Sequence, residues 1–352
     1  MSTLRDRPDR DRTPVTHSPP NAETHRRALA APVTHLDDFY IRSNFPPPDI
    51  DPETWTLAVR GLSGPEKRIS LEELKRLGRV EQTLVLECAG NGRTLLDPPV
   101  AGTPWTLGGV STGRFAGVPL KILLEHLGIN HDGAVECLFS GADQGDKAGW
   151  GQLTFERSLP VEAALAAPDG PLVAWEMNGE PLRLEHGAPV RLVVPRWYAV
   201  ASVKWIQRIA LLAQPFSGYF QTDRYVYREA GQPDLPVRHL KCRALILDPD
   251  PESVTTLKAG FHTLSGIAWS DRPIDRVTVS TDDGATWVEA KLSEQDGIAP
   301  IRWNLDWNPR PGDYVLIARA HHGETSQPLQ QSWNELGYGN NVVQRCPVRV
   351  VA

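Results

Sequence analysis

DRVTVSTDDGATWVEAKL, residues 275–292, places two runs of alternating apolar and polar residues around an Asp-Gly pair at 283–284. Alternation with period two marks a half-buried strand, and Asp-Gly between two such runs is a strong hairpin signal. On either side lie RALILDP (243–249), HTLSGIAWS (262–270), IRWNLDW (301–307), DYVLIARAHH (313–322) and PVRVV (347–351). Helical periodicity stops near residue 240, and short strands separated by turn signals predict an all-β, immunoglobulin-like sandwich over 241–352. The octet Ser280–Trp287 also fits the S-x-D-x-G-x-T-W box of propeller blades. A propeller repeats its box at a fixed period and this chain holds one copy, so the sandwich is preferred.

Upstream the texture is mixed. WTLAVRGL (55–62), TLVLEC (83–88), VRLVVP (190–195) and VKWIQRIALL (203–212) read as strands. Ser70 before LEELKRL, with Glu73 three residues on, is a capping-box helix start, and LKILLEHLG (120–128) is an amphipathic helix closed by Gly128. An α+β domain over 37–240 is expected. Residues 1–36 hold five prolines, six arginines and four acids before His35 and show no apolar stretch of signal length. They are expected to be a disordered leader with no secretory signal, which implies a cytoplasmic rather than a periplasmic address.

Composition narrows the function classes. Lys plus Arg is 37 against 43 Asp plus Glu, a net charge of −6, so no global pull towards nucleic acid or anionic lipid exists. No apolar run reaches the ~18 residues of a membrane span. The four cysteines, at 88, 137, 242 and 346, form no C-x-x-C pair, which argues against a zinc knuckle or attached c-type haem. No G-x-G-x-x-G follows a strand, so neither a flavin nor a nicotinamide domain is expected, and no haem module is visible.

LECAGNGR (86–93) puts a cysteine at a strand end beside two glycines, a place where a bulky group can approach the backbone. A soft thiolate there suits a soft metal ion. The segment resembles the molybdenum-ligand loop of the sulfite oxidase family. FYIRSNFPPPDIDPETWTLAVRG (39–61), GGVSTGRFAGVPL (108–120) and WEMNGEPLRLEHGAPVRLVVPRWYAVASVKWIQRI (175–209) are similar to its opening, following and pterin-binding segments. STDDGATW (280–287) and WNELGYGNNVVQR (333–345) resemble its C-terminal dimerisation domain, so the likeness covers about 39–352 in order.

The resemblance implies a molybdenum cofactor (Mo-molybdopterin) with Cys88 as the protein ligand to the metal. It places Arg42, Arg93, Trp105 and Tyr225 around the substrate. Cofactor contacts fall to Arg42, Asn44, Cys88, Asp143, His186, Arg191, Ser202 and Lys204. Guanidinium forks suit a small oxyanion better than flexible ammonium groups do. The implied reaction is oxidation of sulfite to sulfate, with electrons passed to an external acceptor, a cytochrome c-like protein or oxygen, and with the sandwich pairing two chains as a homodimer. The alternatives are reduction of nitrate or an S-oxide at the same site, oxidation of another sulfur compound, or a cofactor-free binding module.

Four positions depart from the family pattern. Asn44 stands where many members have His, Gly92 replaces the first of two arginines, and Phe115 replaces a Trp. Leu336 stands where sulfite-oxidising members carry an arginine in the W-N-L-R-G stretch, and losing a guanidinium weakens an anion contact by ~1.5–3 kcal/mol. Arg345 and Arg196 are the candidate replacements.

Overall fold

The computed structural model describes residues 12–252, 256–295, 297–331 and 333–352. Its first domain carries two five-stranded sheets. One runs in the order Glu180–Pro181, Leu172–Met177, Val110–Pro119, Val80–Glu87, all antiparallel, with Arg191–Val193 also on Leu172–Met177. The other orders Lys67–Ser70, Thr56–Arg60, Ile206–Leu212, Glu136–Lys147 and Gly151–Pro160, and its one parallel contact joins Thr56–Arg60 to Ile206–Leu212. Helices are short. Leu71–Arg76 starts on Ser70 with both halves of the expected capping box, and Leu120–His126 buries Leu120, Leu123 and Leu124 before Gly128 at φ +57° ends the turn.

The C-terminal strands form the expected two-sheet sandwich. Arg243–Asp248, His262–Trp269, Ile301–Trp307 and Lys291–Leu292 make one sheet. Thr256–Lys258, Cys346–Val351, Gly312–His322, Arg276–Ser280 and Val288–Glu289 carry the other, with Thr325–Ser326 paired to Gly312–His322. Cys346–Val351 alternates buried and exposed residue by residue, so one face meets the core and the other meets water. In the Asp-Gly turn, the Asp282 carboxylate accepts from the Thr286 N–H, the Thr286 hydroxyl and the Ser280 hydroxyl. The box is therefore one well-tied turn inside a sandwich.

The expected leader needs correction from residue 12 onward; residues 1–11 lie outside the described residues. Arg12–His17 and Pro20–Thr24 pair as a hairpin, and Arg26–Ala30 forms a 3₁₀ turn with Leu29 buried. The hairpin is stitched onto the first domain. Ala22 and Ile41 exchange backbone hydrogen bonds at 3.1 and 2.9 Å, the Thr24 N–H donates to Gly108 O at 2.9 Å, and the Glu23 carboxylate accepts from the Thr106 N–H and hydroxyl. Every one of these partners is distant in sequence, so a composition rich in Pro and Arg hides them.

Candidate active site

The strand Val80–Glu87 is exposed at its first two residues and buried over its last four, so it carries the chain into the interior and sets Cys88 there. The Cys88 N–H donates to Gly109 O at 2.8 Å. Gly92 then takes φ +82°, and a Cβ on it would stand 3.2 Å from the Asn340 carbonyl oxygen. Glycine at this departure from the family pattern lets the loop pass close beneath the sandwich.

Cys88 borders a cleft together with Tyr40, Arg42, Asn44, Asp143 and Tyr225. Burial raises the thiol above its ordinary value, and Arg42 and the Gly90 N–H act against that. These neighbours are what a bound thiolate needs. Arg42 is held on both arms. Nη2 donates to Asn44 Oδ1 at 2.7 Å and to the Tyr225 hydroxyl at 3.1 Å, while Nη1 reaches Asn21 Oδ1 at 3.3 Å and the Ser43 carbonyl. The Tyr225 hydroxyl in turn donates to Asn44 Oδ1 at 3.2 Å. Asn44, at the position where the family commonly has His, thus serves as the shared acceptor for Arg42 and Tyr225.

The rest of the cleft is cationic. Arg191 donates to His186 O at 2.9 Å and Ser202 O at 3.2 Å, and its guanidinium lies 5.5 Å over the Phe115 ring. Lys204 donates to the Ser43 hydroxyl at 2.9 Å and Glu185 O at 2.8 Å, with its ammonium 4.0 Å from the Trp205 ring centroid. Burial, reinforced by Arg191, pushes Lys204 down to about 7; burial pushes Asp143 up to about 6, with Lys204 pulling the other way. Burial and the charges of Arg12, Arg191 and Lys204 keep His186 neutral, its pKa well below the ordinary range.

Two buried polar atoms of the cleft, His186 Nε2 and Asp143 Oδ1, have no hydrogen-bond partner among the described residues. Leaving such atoms unmet costs about 1–3 kcal/mol each, and a bound polar group removes that cost. Together with two cations and the Ser202 hydroxyl, they fit an organic cofactor ending in phosphate. The residues present therefore suit a pterin with Cys88 as its metal's protein ligand.

Of the expected site residues, Arg42, Asn44, Cys88, Asp143, His186, Arg191, Ser202, Lys204 and Tyr225 all border this one cleft. Two do not. Trp105 is fully buried behind Tyr40, edge-on at 6.3 Å, and belongs to the core. Arg93 donates to Thr103 O at 2.8 Å and Leu336 O at 3.1 Å and lies 4.9 Å over the Tyr338 ring. Neither replacement arginine reaches the cleft, since Arg345 pairs with Asp283 and Arg196 with Asp169 at exposed positions. Sequence reading missed Tyr40, Ser43, Glu185 and Trp205, which also border it. Tyr40 and Ser43 lie inside the recognised YIRSN (40–44), on either side of Ile41 and Arg42, and only adjacency could have pointed to them.

Residues 44–220 match the oxidoreductase molybdopterin binding domain, and residues 235–351 match the Mo-co oxidoreductase dimerisation domain. The chain belongs to the sulfite oxidase family of molybdenum-cofactor oxidoreductases. Sulfite oxidase of Gallus gallus is 33% identical over 297 residues, covering 79% of this chain and 62% of that protein. Nitrate reductase [NADH] of Cichorium intybus is 28% identical over 338 residues, covering 86% of this chain and 36% of that protein. The solved structure of the sulfane dehydrogenase SoxCD from Paracoccus pantotrophus superposes with a TM-score of 0.85 at 27% identity, over 96% of this chain and 88% of that one. The chain thus spans less than two thirds of the length of the sulfite oxidase it matches. No helix among the described residues is long and apolar enough to cross a membrane.

Proposed function

We propose that the chain oxidises sulfite, or a closely related small sulfur oxyanion, and passes the electrons to an external acceptor. The supporting observation is Arg42, a partly buried guanidinium at the same cleft as the Cys88 thiol, held in place by Asn44 and Tyr225. The overall change adds one water-derived oxygen to sulfite and releases two protons and two electrons.

When bound, the molybdenum cofactor supplies two-electron oxygen-atom-transfer chemistry. Cys88 would hold the metal, while Arg191, Lys204, Ser202 and His186 would hold the pterin and its phosphate. The Arg42 charge, held beside Cys88, draws the anion into the cleft. The Tyr225 hydroxyl and the Asn44 carboxamide hold Arg42 and add no charge that would compete for it. The buried wall around Tyr40 and Leu86 excludes water from the anion and strengthens each of these contacts.

The nitrate reductase relative keeps the reverse direction in view, because one oxygen atom moves either way. A substrate panel of sulfite, nitrate and an uncharged S-oxide, run with artificial electron donors and acceptors on molybdenum-loaded protein, tests the reading. Sulfite turnover is expected, and Arg42→Gln should cut its kcat/KM roughly 10–150-fold, the equivalent of ~1.5–3 kcal/mol. Turnover of nitrate without sulfite, or sulfite kinetics indifferent to Arg42→Gln, would overturn it.

A further inference from the structure

The N-terminal hairpin holds none of the residues that the family likeness assigns to substrate or cofactor, yet through Asn21 it reaches Arg42 and Ser43, which border the cleft. This side chain is 3% exposed and uses its whole carboxamide. Nδ2 donates to the Thr16 hydroxyl at 2.7 Å and to Pro19 O at 3.0 Å. Oδ1 accepts from the Ser43 N–H at 2.8 Å and from Arg42 Nη1 at 3.3 Å. Turning the amide over would set NH₂ against two donors and its oxygen against Pro19 O, so one orientation is enforced. The hairpin backbone is locked to the same segment, since Ala22 and Ile41 pair directly before Arg42. Lys204 adds a second tie, because its ammonium donates to the Ser43 hydroxyl.

We propose that Asn21 is a positioning residue for Arg42, so that the N-terminal hairpin forms part of the anion site. The inference rests on the reading of Arg42 as the anion's anchor. Asn44 and Tyr225 restrain only Nη2. With Asn21 gone, Nη1 keeps only the adjacent Ser43 carbonyl and the guanidinium can pivot about its other arm, so its charge stands less often where the anion meets it. An ordinary structural tie would behave differently, because it would lower stability without singling out anion affinity.

A double-mutant cycle in the full, molybdenum-loaded chain separates these roles. Wild type, Asn21→Ala, Arg42→Gln and the double variant are compared for sulfite KM and kcat, for sulfate inhibition, for the rise in melting temperature on adding sulfate, and for pterin per chain. Asn21→Ala should raise KM and the sulfate inhibition constant about tenfold, as loss of one hydrogen bond to a charged group does. Pterin content should hold and kcat should change little, and in the Arg42→Gln background the Asn21 substitution should add nothing. Equal cost in both backgrounds, or a fall in kcat and pterin content with KM unchanged, overturns the positioning role. An Arg42→Gln protein with unchanged KM and sulfate response overturns the underlying reading of Arg42, and the positioning role falls with it. If Asn21→Ala does not yield soluble protein, Thr16→Val makes the same test from a partly exposed position by loosening Nδ2, with a smaller KM rise expected and an unchanged KM counting against the role.

Discussion

Glu87 immediately precedes Cys88, and its carboxylate is buried against Arg243 of the sandwich, Nε to Oε1 at 3.0 Å, with both side chains 1% exposed. Asn91 Nδ2 and Trp269 Nε1 donate to the two carboxylate oxygens at 2.9 Å each. The contact with Arg243 is a close ion pair rather than an aligned hydrogen bond, and Arg243 Nη1 has no hydrogen-bond partner among the described residues. Coulomb attraction at this separation is about 5 kcal/mol for an effective dielectric near 20, and desolvation cancels much of it. Removing one partner is the costly event. Arg243→Met should destabilise by ~3–5 kcal/mol, because it strands a buried carboxylate on two neutral donors. Glu87→Leu combined with Arg243→Met removes both charges and leaves the Asn91 and Trp269 donors and the Asn340 and Asn91 carbonyl oxygens without these partners, so it should still cost stability but well below the sum of the single changes. Urea unfolding of the full chain by tryptophan fluorescence, with a second probe to check that the transition is two-state, measures the cycle. Molybdenum content follows the functional side, because Gly339 N–H to Ala89 O at 2.7 Å and Asn340 Nδ2 to Gly92 O at 2.8 Å also tie this loop to the sandwich. An Arg243→Met cost below ~1 kcal/mol, or additive single changes, would refute the reasoning.

Cys88→Ser should keep the pterin, which is gripped by Arg191 and Lys204, and lose turnover; near wild-type activity, with loss instead on changing Cys137, Cys242 or Cys346, would count against Cys88 as ligand. Lys204 is disfavoured as a cation by burial, so the cofactor-free protein should gain stability as pH rises from about 7 towards the ordinary lysine value. Over the same range its grip on molybdopterin should weaken by at most tenfold per pH unit, and Lys204→Met should flatten the dependence, which fluorescence titration of apo-protein reads directly. The match of 235–351 to a dimerisation domain leads us to expect a dimer, so light scattering at micromolar concentration should return twice 38.9 kDa, and a single-chain mass would refute it.

Local signals proved readable where local chemistry makes the structure. Ser70 with Glu73, the Asp283-Gly284 turn, and the apolar spacing of Leu120, Leu123 and Leu124 each act within a few residues and formed as expected, while the run after the turn divides into Val288–Glu289 and Lys291–Leu292 in different sheets. The cleft was readable for a different reason: its residues sit in segments whose likeness to the family is continuous. The hairpin was not readable, because Asn21, Glu23 and Thr24 are fixed by Ser43, Thr106 and Ser111, partners 22 to 87 positions away. Composition reports how a segment behaves alone, and nothing in PNAET announces a buried carboxamide.

The same limit accounts for Arg93 and Leu336. The likeness places Arg93 towards the substrate and identifies Leu336 as a missing arginine, as if the two positions were independent. In the structure the Leu336 carbonyl accepts from Arg93, Gly337 sits so close that an added Cβ would stand 3.1 Å from Arg93 Nε, and Tyr338 carries the Arg93 guanidinium on its ring. Tyr338 stacks in turn on Tyr225 at 5.0 Å. Arg93 thus braces, through two aromatic rings, the hydroxyl that holds Arg42, and it stays connected to the anion site without bordering the cleft. On the proposed function, recognition of the anion's charge rests chiefly on Arg42, held by Asn21, Asn44 and Tyr225. Charge recognition concentrated in one side chain makes affinity depend steeply on that side chain's orientation.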